Sequence, residues 1–141
     1  MPNSSIPTGE YLIRNVRQGN LAFVEDNNER TPLTANYSTS SFYERWNVIS
    51  LGNGYYNILN VGSNTYANTG NRAKVGDGVE GVHGKPQQFD ISETRVSGQY
   101  TIMTTDTRLY WTMLDNQIKT PITLSDVPTD PRSWWIFERR R

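Results

Sequence analysis

The chain carries few groups able to do chemistry. Its one histidine, His83, sits in Gly81-Val82-His83-Gly84-Lys85, and a general base needs an orienting carboxylate or hydroxyl that this stretch does not supply. There is no second histidine for a metal site and no cysteine, which removes thiol nucleophiles, thiolate ligands and disulfides together. Carboxylates pair in sequence at Asp26 with Glu29 and at Asp126 with Asp130. Both pairs lie in polar loops, where nothing drives two pKa values apart as glycoside hydrolysis requires. Gly76-Asp77-Gly78 and Gly52-Asn53-Gly54 are turns without the strand-then-helix context of a phosphate loop. The expectation is a binding protein rather than an enzyme, with no catalytic residue, no metal site and no cofactor.

Composition narrows the partners. Fourteen basic side chains balance fourteen acidic ones in 141 residues, so no net field attracts nucleic acid or an anionic membrane. No apolar run approaches the ~18 residues a membrane helix needs. Met1-Pro2-Asn3-Ser4-Ser5 lacks the charged-then-apolar start of a secretory signal, and a cytoplasmic location is expected. The basic run Glu138-Arg139-Arg140-Arg141 is expected to be a solvated tail.

The elements that must position any site come from an internal repeat. Gly9-Glu10-Tyr11-Leu12-Ile13, Gly54-Tyr55-Tyr56-Asn57-Ile58 and Gly98-Gln99-Tyr100-Thr101-Ile102 open alike, with their tyrosines 45 and 44 positions apart. Trp46-Asn47-Val48, Phe89-Asp90-Ile91 and Trp134-Trp135-Ile136 close alike, at 35, 33 and 34 positions from the opening tyrosine. Alternation puts Tyr11 with Ile13, Tyr56 with Ile58 and Tyr100 with Ile102 on one face of a strand. Second strands are expected at Leu21–Val24, Thr65–Ala67 and Leu109–Thr112, and third strands at Leu33-Thr34, Lys74-Val75 and Ile122–Leu124. Glycine, asparagine, aspartate and proline clusters separate them. Four strands in each of three units are too few blades for a propeller, usually ~4–8. The expected fold is all-β: a single β-trefoil domain over residues 1–141, twelve strands in three repeats of about 8–52, 53–96 and 97–141, a six-stranded barrel closed by three hairpins without edge strands.

On such a barrel, recognition belongs to the loops. Glu25-Asp26-Asn27-Asn28-Glu29-Arg30-Thr31-Pro32 is polar up to its proline, so it projects into water. Pro32 biases Thr31 towards an extended conformation. An extended segment held in advance by its scaffold loses little entropy on entering a protease cleft. The last connection, Ser125–Ser133, is stiffened by Pro128 and Pro131 and carries Arg132. It reads as an entry turn for the final strand, or as a secondary loop whose arginine fills an acidic pocket.

The opening Ile6-Pro7-Thr8-Gly9-Glu10-Tyr11-Leu12-Ile13-Arg14-Asn15-Val16, the Arg30-Thr31-Pro32-Leu33-Thr34 strand entry and the ending Trp134-Trp135-Ile136-Phe137-Glu138 resemble the mushroom (basidiomycete) β-trefoil serine protease inhibitors of the cospin type, along essentially the whole chain. The resemblance implies inhibition of trypsin-like serine proteases in a defensive or regulatory role. It places the binding loop at Asp26, Asn27, Asn28, Glu29 and Arg30, with Asn27 in the specificity position and Arg132 as a secondary candidate. On chemistry alone Arg30 is the better anchor for an acidic pocket. A related pattern engages an asparagine-specific cysteine protease.

Mushroom β-trefoil lectins share the same scaffold pattern, and glycans are the alternative partner. Ricin-type lectins carry Gln-x-Trp near each repeat end. Here the places read Glu44-Arg45-Trp46, Gln87-Gln88-Phe89 and Arg132-Ser133-Trp134. Sugar binding wants an aromatic platform beside hydrogen-bonding side chains. Tyr110-Trp111, near Asp115 and Asn116, supplies a candidate in which alternation turns one ring inward and the other outward.

Overall fold

The computed structural model describes residues 6–37 and 40–139. Met1–Ser5 and the end of the basic tail, Arg140-Arg141, lie outside them. Twelve strands follow one another: β1 (Gly9–Asn15), β2 (Leu21–Val24), β3 (Thr31–Asn36), β4 (Trp46–Ser50), β5 (Tyr56–Asn60), β6 (Tyr66–Asn68), β7 (Glu80–Val82), β8 (Phe89–Glu93), β9 (Tyr100–Thr104), β10 (Tyr110–Thr112), β11 (Thr123–Ser125) and β12 (Trp135–Arg139). Short 3-10 turns, Phe42–Glu44 and Pro131–Ser133, lead into β4 and β12.

Six strands close a barrel through antiparallel pairs β1–β4, β4–β5, β5–β8, β8–β9, β9–β12 and β12–β1. The hairpins β2–β3, β6–β7 and β10–β11 cover one end. Where they meet, the Leu33 amide donates to the Val79 carbonyl (2.8 Å), Val79 to Ile122 (3.1 Å), and Ile122 back to Leu33 (2.9 Å). This cyclic set satisfies backbone groups that burial would otherwise leave unpaired. The fold is a β-trefoil.

The opening and closing residues of each repeat pair directly: Tyr11 with Trp46, Tyr56 with Phe89, and Tyr100 with Trp135. The third closing residue is therefore Trp135 and not Trp134, and its spacing of 35 equals that of the first repeat. The indoles agree: Trp46 Nε1 donates to the Ala22 carbonyl and Trp135 Nε1 to that of Trp111, both at 3.1 Å. Two adjacent tryptophans made the register ambiguous by one residue. The ladder decides it, because a one-residue slip turns every side chain to the other face.

The third strand of the second repeat also moves. Lys74-Val75 belongs to a loop, with Val75 58% exposed, and the strand is β7. Val79, fully buried, is the counterpart of Leu33 and Ile122. Loop β6–β7 runs over 11 residues, against 6 for β2–β3 and 10 for β10–β11, and Val75 falls inside it.

Ile13, Ile58 and Ile102 fill the interior beside Trp46, Phe89, Trp111 and Trp135. Phe89 and Trp135 pack edge-on against Trp111 at centroid distances of 5.3 and 6.3 Å. Repeats are stitched by buried amides: Asn15 Nδ2 donates to the Arg132 carbonyl (2.8 Å) and Asn60 Nδ2 to that of Tyr43 (2.9 Å).

Candidate functional site

The β2–β3 connection is a tight turn. Asp26 Oδ1 accepts from the Asn28 amide (2.9 Å) and from the Thr31 hydroxyl. These bonds, the Thr31 hydroxyl first, hold the Asp26 carboxyl below its ordinary pKa. The loop is also fastened to the second repeat. The Arg30 amide donates to the Gly81 carbonyl (2.8 Å), Arg30 Nε reaches Glu80 Oε1 (3.0 Å), and the His83 amide donates to Glu29 Oε1 (2.8 Å). His83 Nε2 stands 2.7 Å from the Asn27 carbonyl oxygen. A carbonyl only accepts, so Nε2 carries the proton. His83, whose own stretch of sequence offers it no orienting group, is a structural clasp between two repeats.

This geometry differs from the extended segment expected. Arg30 has φ 68°, in the left-handed region, and the Thr31 amide points back to the Asn28 carbonyl. The bias imposed by Pro32 is satisfied within β3 itself and does not straighten the residues before Thr31. Asn27, Asn28, Glu29 and Arg30 are exposed at the tip and shoulder, and Asp26 is half-buried as the internal clasp. The Asn27 carbonyl, which a protease would draw into its oxyanion hole, is bonded to His83.

Arg132 lies in the 3-10 turn before β12. Its carbonyl accepts from Asn15 Nδ2, the Met113 amide (3.0 Å) and the Thr112 hydroxyl (3.2 Å). Its guanidinium binds Asp130 through Nε (2.9 Å) and an NH2 group (2.8 Å). The connection is an entry turn, with Asp130 as its N-cap. The Asp130 carboxyl is held low, first by the Arg132 side chain. The carboxylates whose acidity moves, Asp26, Asp106, Asp115 and Asp130, all shift downward, opposite to what a general acid needs.

Alternation across β10 holds: Trp111 is fully buried and Tyr110 is half-buried on the outer face. Tyr110 lines a cleft of about 260 Å³ with Trp134, Glu93, Thr94, Arg95, Thr101, Pro128 and Thr129. Trp134 is buried, 4% exposed, as expected of a closing residue, but outside the barrel cluster, where it borders this cleft. Its indole Nε1 donates to the Pro128 carbonyl (2.8 Å), and Arg95 stacks 5.2 Å from its ring. The doubled Trp134-Trp135 was the available signal, since alternation allows only one of the two inside. Asp115 and Asn116 do not join Tyr110. They line a separate cleft of about 430 Å³ with Arg17, Gln18, Leu114, Asp130, Pro131 and Arg132.

The Gln-x-Trp positions realign with Trp135, so the third reads Ser133-Trp134-Trp135. The surviving Gln87 is engaged internally: its Oε1 accepts from the Thr69 amide (2.6 Å) and its Nε2 donates to the Thr69 hydroxyl (2.9 Å).

The chain is thus a trefoil of three hairpins on a closed barrel, with clefts between its loops. Residues 3–82 and 43–125 match the family described as ricin-type beta-trefoil lectin domain-like, and the chain belongs to that family. Similar solved structures include the Rhizoctonia solani agglutinin (21% identity, TM-score 0.88, 99% of this chain and 100% of that one). The Macrolepiota procera ricin B-like lectin in complex with lactose is similar at 15% identity (TM-score 0.87, 98% and 100%). The designed threefold-symmetric protein ThreeFoil is similar at 14% (TM-score 0.87, 94% and 99%). At these identities the likeness is one of fold. No curated protein matches the chain.

Proposed function

We propose that this protein is a glycan-binding module without catalytic activity, holding a neutral pyranose ring in the Tyr110–Trp134 cleft. One observation carries the proposal: the half-buried Tyr110 ring stands in a cleft beside the Glu93 carboxylate and the Thr94, Thr101 and Thr129 hydroxyls, with the buried Trp134 as part of its floor. Aromatic faces pack against the C–H faces of a sugar while carboxylates and hydroxyls bond its hydroxyls. The cleft suits one sugar ring rather than the drug-sized ligands that occupy about 300–1,000 Å³. Membership in a lectin-like family supports the proposal, as does a fold shared with a lectin solved with lactose. A glycan array followed by calorimetry on the best ligand tests it. Tyr110→Ala is expected to weaken binding tenfold or more, and absence of glycan binding overturns the proposal.

A second reading is favoured by the fastening of the β2–β3 loop at Asp26, His83, Gly81 and Glu80. In it the protein inhibits trypsin-like serine proteases of the kind that cospin-type inhibitors resist, presenting Asp26, Asn27, Asn28, Glu29 and Arg30 as a pre-organised surface. Such inhibition requires a protease to displace His83 from Asn27, or to engage Arg30 by breaking its exposed pair with Glu80, a contact worth little. Inhibition of a protease panel by Asn27→Ala and Arg30→Ala separates the two anchors. No inhibition at micromolar concentration rejects this reading.

A further inference from the structure

The larger cleft, where the β1–β2 turn of the first repeat faces the β10–β11 loop and the 3-10 turn of the third, plays no part in either proposal above. Its charges are formally balanced but not equivalently placed. Asp130 is committed to Arg132 by two guanidinium contacts and by the Arg132 amide (2.9 Å). Asp115 turns its Oδ1 into its own loop, accepting from the Thr120 hydroxyl (2.5 Å) and the Gln117 amide (2.9 Å). Arg17 is exposed and forms no ion pair within 4.0 Å among the described residues.

Around Arg17 the walls are preset. The Asn116 carbonyl accepts from Tyr37 Oη (2.7 Å) and Asn20 Nδ2 (3.2 Å), which hold the loop. The Asn116 side chain, its Oδ1 accepting from Gln117 Nε2 (3.3 Å), lines the cleft with Nδ2 in no hydrogen bond among the described residues. Gln18 is anchored by its amide to Asn15 Oδ1 (2.9 Å) and by Nε2 to the Met113 carbonyl (3.2 Å), leaving Oε1 as an acceptor. Leu114, 53% exposed, adds an apolar wall. Arg17 acts on Asp130 only through space, and a guanidinium fork held in no close ion pair matches a carboxylate. An amide donor and an amide acceptor beside it match hydroxyls, and Leu114 matches the C–H face of a ring.

We infer that the Arg17–Leu114–Asn116 cleft is a second binding site, for a sugar that carries a carboxylate. It differs from the Tyr110–Trp134 cleft in ligand chemistry and does not depend on it. The test is titration of isotope-labelled protein, followed by amide NMR shifts, with glucuronic acid, glucose and acetate as separate probes. Glucuronate is expected to shift the amides of Gln18, Leu114 and Asn116 saturably. Arg17→Gln, a surface change whose native spectrum checks its folding, is expected to weaken this about tenfold, the size of one charge-assisted bond. Raised salt weakens it as well.

Equal shifts with glucose show that the carboxylate is irrelevant and overturn the assignment. Equal shifts with acetate reduce the cleft to a simple anion site and overturn it too. So does a lack of saturable shifts, or an undiminished response in Arg17→Gln. Tyr110→Ala is expected to leave the glucuronate shifts unchanged, so failure at one cleft is distinguishable from failure at the other.

Discussion

The ring nitrogen Nε2 of His83 lies 2.7 Å from the carbonyl oxygen of Asn27, a residue 56 positions away. With the His83 amide bound to Glu29, one residue of the second repeat fastens the tip of a first-repeat loop at two points. His83→Ala removes the ring contact and keeps the amide one. Hydrogen exchange at Asn28 and Glu29 is expected to accelerate, with global stability changed by less than about 1 kcal/mol, as for a surface hydrogen bond. Unchanged exchange there refutes the clasp.

The three tryptophans of the barrel interior are expected to differ in their tolerance of phenylalanine. Trp46 and Trp135 donate their indole N–H groups to carbonyls, whereas the buried Trp111 Nε1 has no partner among the described residues. Removing a satisfied donor strands an acceptor, while removing an unsatisfied one ends a desolvation cost. Trp46→Phe and Trp135→Phe are expected to cost about 2–4 kcal/mol through cavity and lost bond, and Trp111→Phe about 1 kcal/mol less. Urea unfolding of the three variants measures the order. Phe89 at the equivalent place in the second repeat shows that the barrel accepts the smaller ring.

Acid stability is expected to depend on Asp130. Its folded pKa is depressed, chiefly by the Arg132 side chain. A depressed carboxyl stabilises fully above its unfolded value of about 3.9, and that contribution disappears as pH falls through the lower folded value. Asp130→Asn keeps a capping oxygen but removes the titration, so its urea midpoint is expected to fall less than the parent's between pH 6 and pH 3. Asp130→Ala also loses the cap and is expected to cost about 1 kcal/mol at pH 7. Equal acid sensitivity in parent and Asp130→Asn contradicts the assignment.

Gly81 is required by close approach. A Cβ there meets Thr65 Oγ1 at 2.5 Å, and that hydroxyl is held by Ser63 Oγ (2.6 Å) in a buried site. Gly81→Ala is expected to destabilise by about 1–3 kcal/mol through overpacking. It is also expected to loosen the Arg30 amide, which docks on the Gly81 carbonyl. Thr65→Ala in the same chain is expected to restore part of the loss. Thermal unfolding of the single and double variants decides.

The barrel was legible because local alternation tells which side chains face inward. Tyr11 with Ile13, Tyr56 with Ile58 and Tyr100 with Ile102 recur at a spacing near 44 residues, and three half-buried units of four strands close without edges only as a trefoil. Glycine, proline and asparagine clusters marked the turns for equally local reasons. Alternation could also say that Tyr110 and Trp111 face opposite ways.

Closure decided the remainder. Whether Trp134 or Trp135 enters the barrel depends on pairing with Tyr100, and whether Val75 or Val79 continues the second repeat depends on a hydrogen-bond ring shared by three hairpins. The same is true of the surface: His83 meets Asn27, Asn116 meets Tyr37, and Trp134 meets Arg95 across separations of 56, 79 and 39 residues. A strand's period is written in neighbouring residues. Contacts between loops arise only after the barrel has folded three distant segments against one another, and no local pattern encodes which side chains then share a cleft.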